Sequence, residues 1–239
     1  MASADPSLTV PADGFKKSVP REYLESVVVA VILALFIRTF VVQAFKIPTG
    51  SMQENLLIGD HLLVNKMVYS PSLGRLEETL LPKKPIERGH VIVFKYPDDP
   101  TRDFIKRVIG LPGETIEIRN KVVYVDGRPL DEPYVHFLEP PLSPEDPEYG
   151  FSSDERFKWG PQVVPPDHLL VLGDNRDNSR DSRFWGFLPA DRVKGRAFIV
   201  YWSYEASREE YHRTGWEWVK DTIAAFGKTR WSRFFHVIR

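Results

Sequence analysis

Cysteine is absent from this chain. That excludes disulfides, thiolate catalysis and any Cys-ligated metal, and it leaves the compartment open. A charge excess of either sign is absent too, since 32 Lys and Arg stand against 33 Asp and Glu. No basic field therefore points to nucleic acid as a partner. The six histidines (His61, His90, His136, His168, His212, His236) are scattered and form no H-E-x-x-H or comparable pair, so zinc has little support. There is no Gly-x-Ser-x-Gly elbow, no internal repeat and no low-complexity tract. Neither a metal nor a cofactor is expected. What the chain does have is 42% hydrophobic residues in 239, enough to bury the core of one large domain or two small ones.

Residues 1–21 read as a polar tail, broken by Pro6, Pro11, Gly14 and Pro20 and ending in Lys16, Lys17 and Arg21. An apolar run follows, assigned to residues 22–45. As a helix, Tyr23–Phe45 would span about 34 Å, enough for a bilayer core of roughly 30 Å. Glu25, Arg38 and Gln43 interrupt it, and its unbroken apolar centre is Val27–Ile37. Three readings compete: a permanent anchor, a cleaved signal peptide suggested by the small-x-small look of Val42-Gln43-Ala44, and a buried helix. With an anchor, the basic residues before the span, against Lys46 alone soon after it, place the N-terminus in the cytoplasm and the bulk of the chain outside.

From residue 46 to 205 the pattern is one of short strands closed by turns. His61–Val64, Val91–Tyr96, Asp103–Ile109 and His168–Leu172 are β-branched or aromatic runs, and Thr115–Ile118 with Val122–Val125 reads as a hairpin. His168–Leu172 is expected to be the last strand. Such spacing predicts a mainly antiparallel β-sheet domain. Residues 126–166, dense in proline and acidic residues, read as an inserted subdomain without identifiable chemistry. In 206–239, Trp216, Val219, Ile223 and Phe226 fall on one helical face, and Trp231, Phe234, Phe235 and Ile238 repeat the spacing beside Lys and Arg. This C-terminal amphipathic segment suits either a membrane surface or packing on the domain.

The chemistry gathers around Ile47-Pro48-Thr49-Gly50-Ser51-Met52, directly after the apolar run. Pro48 fixes the backbone and Gly50 frees it, so the Ser51 hydroxyl can be presented at a set angle. A serine nucleophile needs a base. Without a suitably placed histidine, the remaining choice is a lysine kept neutral by burial. Lys106 fits best: period two in Phe104–Ile109 sets it between Phe104 and Val108 on one face, while Arg107 points the other way. A solvent-facing strand lysine is the competing reading. The third element is Gly173–Arg183, dense in Asp and Asn. Its spacing fails a calcium loop, because position 6 from Asp177 is Ser182 and position 12 is Leu188. A loop stiffened by Asx turns and Asp–Arg pairs fits better, with Ser179 available to orient an amine.

Together these blocks, with Gly59-Asp60, Val64-Asn65-Lys66, Arg88–Pro97, Ile105–Gly113 and Gly173–Gly186, resemble the bacterial type I signal peptidases, membrane-bound Ser/Lys proteases. The resemblance covers the chain from the span to about Tyr204. It implies Ser51 as nucleophile, Lys106 as general base, Ser179 orienting the amine, and an oxyanion hole from the Ser51 N–H and the Thr49 hydroxyl. It further implies Asp181–Arg183 and Asp174–Arg107 as supporting ion pairs. Shallow pockets for small side chains before the cut would be lined by Ile47, Pro48, Met52, Phe104 and Ile105. The implied substrates are signal-peptide-bearing pre-proteins, processed at the outer face of the bacterial plasma membrane, with the lipid bilayer and the secretion machinery as partners. Three positions depart from the family pattern: Thr49 where serine is common, Glu54 where proline is usual, and Arg88-Gly89-His90 in place of Arg-Gly-Asp. Two other functions share much of this pattern. One is a membrane-anchored β domain that only binds partners; the other is a Ser/Lys protease that cleaves itself or a regulator.

Overall fold

The computed structural model describes residues 19–67, 85–138, 158–205 and 226–238. The chain divides into two units, Met1–Thr39 and Phe40–Arg239. In the first, helix α1 (Val19–Phe36) has no buried residue and passes into a π turn, Ile37–Val41. Val19–Val41 is long and apolar enough to cross a membrane.

The apolar run is therefore not one helix to Phe45. Its last residues form β1 (Val42–Lys46), paired antiparallel with β2 (Asp60–Asn65). β2 offers these residues a ladder that a helix would leave unused, and the Lys66 N–H donates to the Val41 carbonyl at 3.0 Å. Val42, Gln43 and Ala44, the segment with a cleavage-site look, are paired with Asn65, Val64 and Leu63.

The second unit is built of antiparallel sheet. β3 (Val91–Lys95), β4 (Asp103–Gly110), β9 (His168–Leu172), β10 (Leu188–Pro189) and β11 (Val193–Ser203) join β1 and β2 in the order β1-β2-β11-β3-β4-β9-β10. A short strand, β12 (His236–Val237), pairs with β11. The smaller sheet runs β7-β6-β5-β8, from β5 (Thr115–Arg119), β6 (Val122–Val125), β7 (Arg128–Pro129) and β8 (Lys158–Val163). The hairpin expected at 115–125 is thus present, with β5 paired to β6. Two cores matter for the site. Ile47, Met52, Leu56, Leu62, Val64 and Ile105 pack beneath the Ser51 turn, and Ile109, Leu170 and Leu172 of the large sheet pack with Ile116, Ile118 and Val123 of the small one.

His168–Leu172 is not the last strand. β11 is the longest strand among the described residues and sits near the middle of the large sheet, between β2 and β3. Its register shifts three times, between Ala197 and Ile199 and between Val200 and Trp202 against β2 and between Val193 and Gly195 against β3, which breaks its alternation. The stretch 126–166 supplies β7 and β8 to the small sheet, and its residues 139–157 lie outside the described residues. The amphipathic helix expected at 216–227 also falls outside them, apart from Phe226 and Gly227. The helical spacing read for 231–238 does not hold: Trp231–Arg233 is a single 3-10 turn and β12 follows it. Pairing with β11 and burial of Ile238 in the core favour extended chain there.

Candidate active site

Ser51 lies in a 3-10 turn, Gly50–Met52, reached from Thr49 in extended conformation. Gln53 closes the turn with an N–H bond to the Gly50 carbonyl at 3.0 Å, and Met52, fully buried, plugs it into the core. Gly59 N–H reaches the Ile47 carbonyl and Ile47 N–H the Asp60 carbonyl, so the bend is tied to the start of β2.

Lys106 comes from the middle of β4. The register places it opposite Ile92 of β3, with Arg107 opposite Val91. Its side chain is 3% exposed, and its Nζ stands 2.6 Å from Ser51 Oγ, itself 7% exposed. A second bond runs from Nζ to the Ile105 carbonyl at 2.9 Å. The ring of Phe104, two residues back on the same face, lies under the amine at 5.5 Å. Burial pulls the Lys106 pKa from 10.5 down to about 8; the carboxylates of Asp181 and Asp174 oppose that fall and the Arg183 guanidinium adds to it.

Arg107, on the opposite face, forms a buried bidentate pair with Asp174: Nε to Oδ1 at 2.8 Å and Nη2 to Oδ2 at 2.6 Å. Its Nη1 donates to the Gly89 carbonyl, and its guanidinium stacks on Tyr134 at 4.0 Å. Asp181 pairs with Arg183 in the same two-pronged way, at 2.8 and 2.9 Å, and accepts the Gly173 N–H at 3.0 Å. Burial alone would raise the Asp181 pKa, but the bonds and charge of Arg183 and the Gly173 N–H outweigh it and hold the carboxyl below its ordinary value. Asp181 also caps α2 (Ser182–Trp185) by accepting the Arg183 N–H.

The 173–181 loop reaches the serine turn through a residue that sequence reading did not single out. Asn175 donates its N–H to the Ser51 carbonyl at 3.1 Å and its Nδ2 to the Gly50 carbonyl at 3.2 Å. It grips the peptide groups on both sides of Ser51. Asn55 was also missed; its Nδ2 joins Asp174 Oδ2 at 2.8 Å and the Tyr134 carbonyl at 2.7 Å. The density of Asp and Asn in 174–181 marks a structured loop, but nothing local to it says which amide turns toward Ser51.

Ser179 is buried, and its hydroxyl lies toward Asp181, where it helps hold that carboxyl down but falls short of good hydrogen-bond geometry; no bond joins it to Lys106 in this state. It crowds Gly173, where a Cβ would lie 2.2 Å from Ser179 Oγ and 2.6 Å from the Ser51 carbonyl oxygen. Only glycine admits both. Thr49 is exposed and makes no capping bond. Of the expected pocket wall, Ile47, Met52 and Ile105 belong to the core beneath the turn, whereas Pro48 and Phe104 are only partly buried. Among the described residues no group of three His, Asp or Glu side chains could hold a metal ion.

An amine with a depressed pKa held against a serine hydroxyl is an arrangement that a serine hydrolase can use. The profile of the family described as "Signal peptidase, peptidase S26" matches residues 20–202. The chain is 41% identical over 198 residues to a probable signal peptidase I-2 of Synechocystis sp., covering 78% of each. It is 34% identical over 215 residues to a signal peptidase I of Pseudomonas aeruginosa, covering 77% of this chain and 72% of that one. A solved signal peptidase I from Enterococcus faecalis V583 is 33% identical, with a TM-score of 0.37, over 47% of this chain and 97% of that one. The chain belongs to the peptidase S26 signal peptidase family and is a serine endopeptidase.

Proposed function

We propose that this chain removes signal peptides from exported pre-proteins, with Ser51 as nucleophile and neutral Lys106 as its general base. The observation that carries this reading is the 2.6 Å contact between the two side-chain tips, both out of water. In the acylation step Lys106 takes the Ser51 proton as Oγ adds to the scissile carbonyl. The oxyanion is received by the Ser51 N–H and the Thr49 hydroxyl, each such donor contributing about 3–4 kcal/mol to the transition state. Collapse breaks the C–N bond, and the Lys106 ammonium returns its proton to the leaving amine. Water then hydrolyses the acyl-serine with the same lysine as base. Ser179, buried in the same loop beside Asp181, would steer the amine during this cycle.

Arg107–Asp174 and Asp181–Arg183 hold the site from behind. Small residues before the cut would rest against the partly buried Pro48 and Phe104, with Ile47, Met52 and Ile105 packed in the core behind them. The helix Val19–Val41 anchors the chain in the bilayer. The basic residues Lys16 and Lys17 ahead of it and Arg21 in its first turn favour a cytoplasmic N-terminus and a catalytic unit on the outer face of the bacterial plasma membrane, where the secretion machinery delivers its substrates.

The test is cleavage of a purified pre-protein by the full-length protein in detergent. Ser51→Ala and Lys106→Ala should each abolish product. Wild-type rates from Lys106→Ala would defeat the dyad.

A further inference from the structure

The inserted stretch after β7 carries no chemistry of its own, yet its described part, 130–138, lies along the 174–177 loop. His136 N–H donates to the Asp174 carbonyl at 2.8 Å, and Arg176 N–H returns a bond to the His136 carbonyl at 3.1 Å. The two segments thus run briefly parallel, His136 beside Asn175. On one side of this bridge Arg176 forms a bidentate pair with Glu132, in which Nη1–Oε2 is 3.0 Å and the side chains are 3% and 8% exposed. On the other side the Leu138 N–H donates to Asp177 Oδ2 at 2.7 Å.

We propose that segment 130–138 is a positioning strap for the nucleophile, with Glu132 as its principal anchor. Asn175, held in the middle of the strapped loop, bonds the carbonyls of Gly50 and Ser51. The Gly50 carbonyl and the Ser51 N–H belong to one planar peptide group, so fixing the first fixes the direction of the second. The Ser51 N–H is the oxyanion donor of the proposed mechanism, and a misplacement of about 1 Å in such a group can lower the rate roughly 100-fold. Glu132 touches neither Ser51 nor Lys106. It acts through Arg176 and Asn175.

The strap rests on the proposed peptidase reading, and the experiment separates the two. Full-length wild type, Ser51→Ala, Glu132→Gln, Glu132→Asp and Leu138→Pro are assayed with a pre-protein, with thermal unfolding measured alongside. Failure of the wild type to cleave, or cleavage by Ser51→Ala, overturns the peptidase reading itself. With the wild type active, Glu132→Gln should lose on the order of 100-fold in kcat. Its KM should stay within about twofold, the mark of an interaction made only in the transition state. Glu132→Asp, which keeps the charge, should recover a large part of that loss. Leu138→Pro removes one strap bond and leaves Asp177 its ion pair with Lys121, and should cost about threefold to tenfold in kcat in a fully folded protein. If Glu132→Gln does not fold, Leu138→Pro decides the matter. Wild-type kcat in the folded variants, or a loss that only follows the folded fraction, overturns the strap.

Discussion

A buried lysine is an expensive residue, and Lys106 is defined by that expense. The alternation Phe104, Lys106, Val108 already set its amine among apolar neighbours, and its nearness to Ser51 came from a contact between residues 55 positions apart. With the Lys106 pKa near 8, only the neutral fraction is a base, so cleavage should rise with pH through an ascending limb centred near 8. A pH–rate profile of kcat/KM measures this; a limb near 10.5, the ordinary lysine value, would count against a desolvated base. The same shift affects stability. In the fold the proton is lost near pH 8, in the unfolded chain near 10.5, so below pH 8 the unfolded state binds the proton more tightly and folding is penalised in full. The penalty is about 3 kcal/mol and fades between pH 8 and 10.5. Lys106→Met should therefore be inactive yet more resistant to urea at pH 7 by up to about 3 kcal/mol, with the gain shrinking toward pH 10.5. A variant less stable than wild type at pH 7 would contradict this account. Asn175 illustrates the opposite case: an Asn in a polar loop has no local feature that announces two bonds to the peptide groups flanking a serine.

At the level of elements, strands with regular alternation were readable, and irregular or hidden ones were not. β2, β3, β4, β9 and the β5–β6 hairpin stand where β-branched and aromatic runs predict them. β1 was concealed because its residues are apolar enough to extend the helix, and its partner β2 decides otherwise. β8 was concealed among prolines, and β11 by its three register shifts and by Lys194, Gly195 and Arg196 near its start. Gly195 shows why β11 carries a glycine in mid-strand: a Cβ there would meet the Asn65 carbonyl oxygen at 2.3 Å and Val64 Cγ1 at 2.8 Å. Gly195→Val should push β11 off β2 and lower stability by roughly 1–3 kcal/mol. The urea midpoint measures it, and an unchanged midpoint would show that β2 and β11 tolerate the added bulk.

For the whole molecule, a long apolar segment is the feature that composition announced most plainly, and Val19–Val41 has the length and apolarity to cross a membrane. In cells, the full-length chain should stay with the membrane pellet after an alkaline carbonate wash. Protease added from outside should digest the 46–205 region while sparing an epitope at the N-terminus. Release into the supernatant would count against a permanent anchor, and loss of the epitope against the cytoplasmic N-terminus. The linear sequence was sufficient for the long apolar helix, the antiparallel character and the choice of Ser51 and Lys106 as candidates, because hydrophobicity, period two and the chemistry of serine activation are local properties; their contact across 55 positions belongs to the fold. Where the apolar run turns from helix to strand, which strand fills the middle of the large sheet, and how Asn175 and Glu132 come to bear on Ser51 were settled only by tertiary contacts. Each depends on which distant backbone carbonyl, glycine gap or guanidinium the fold brings within about 3 Å, and short-range pattern carries no record of such meetings.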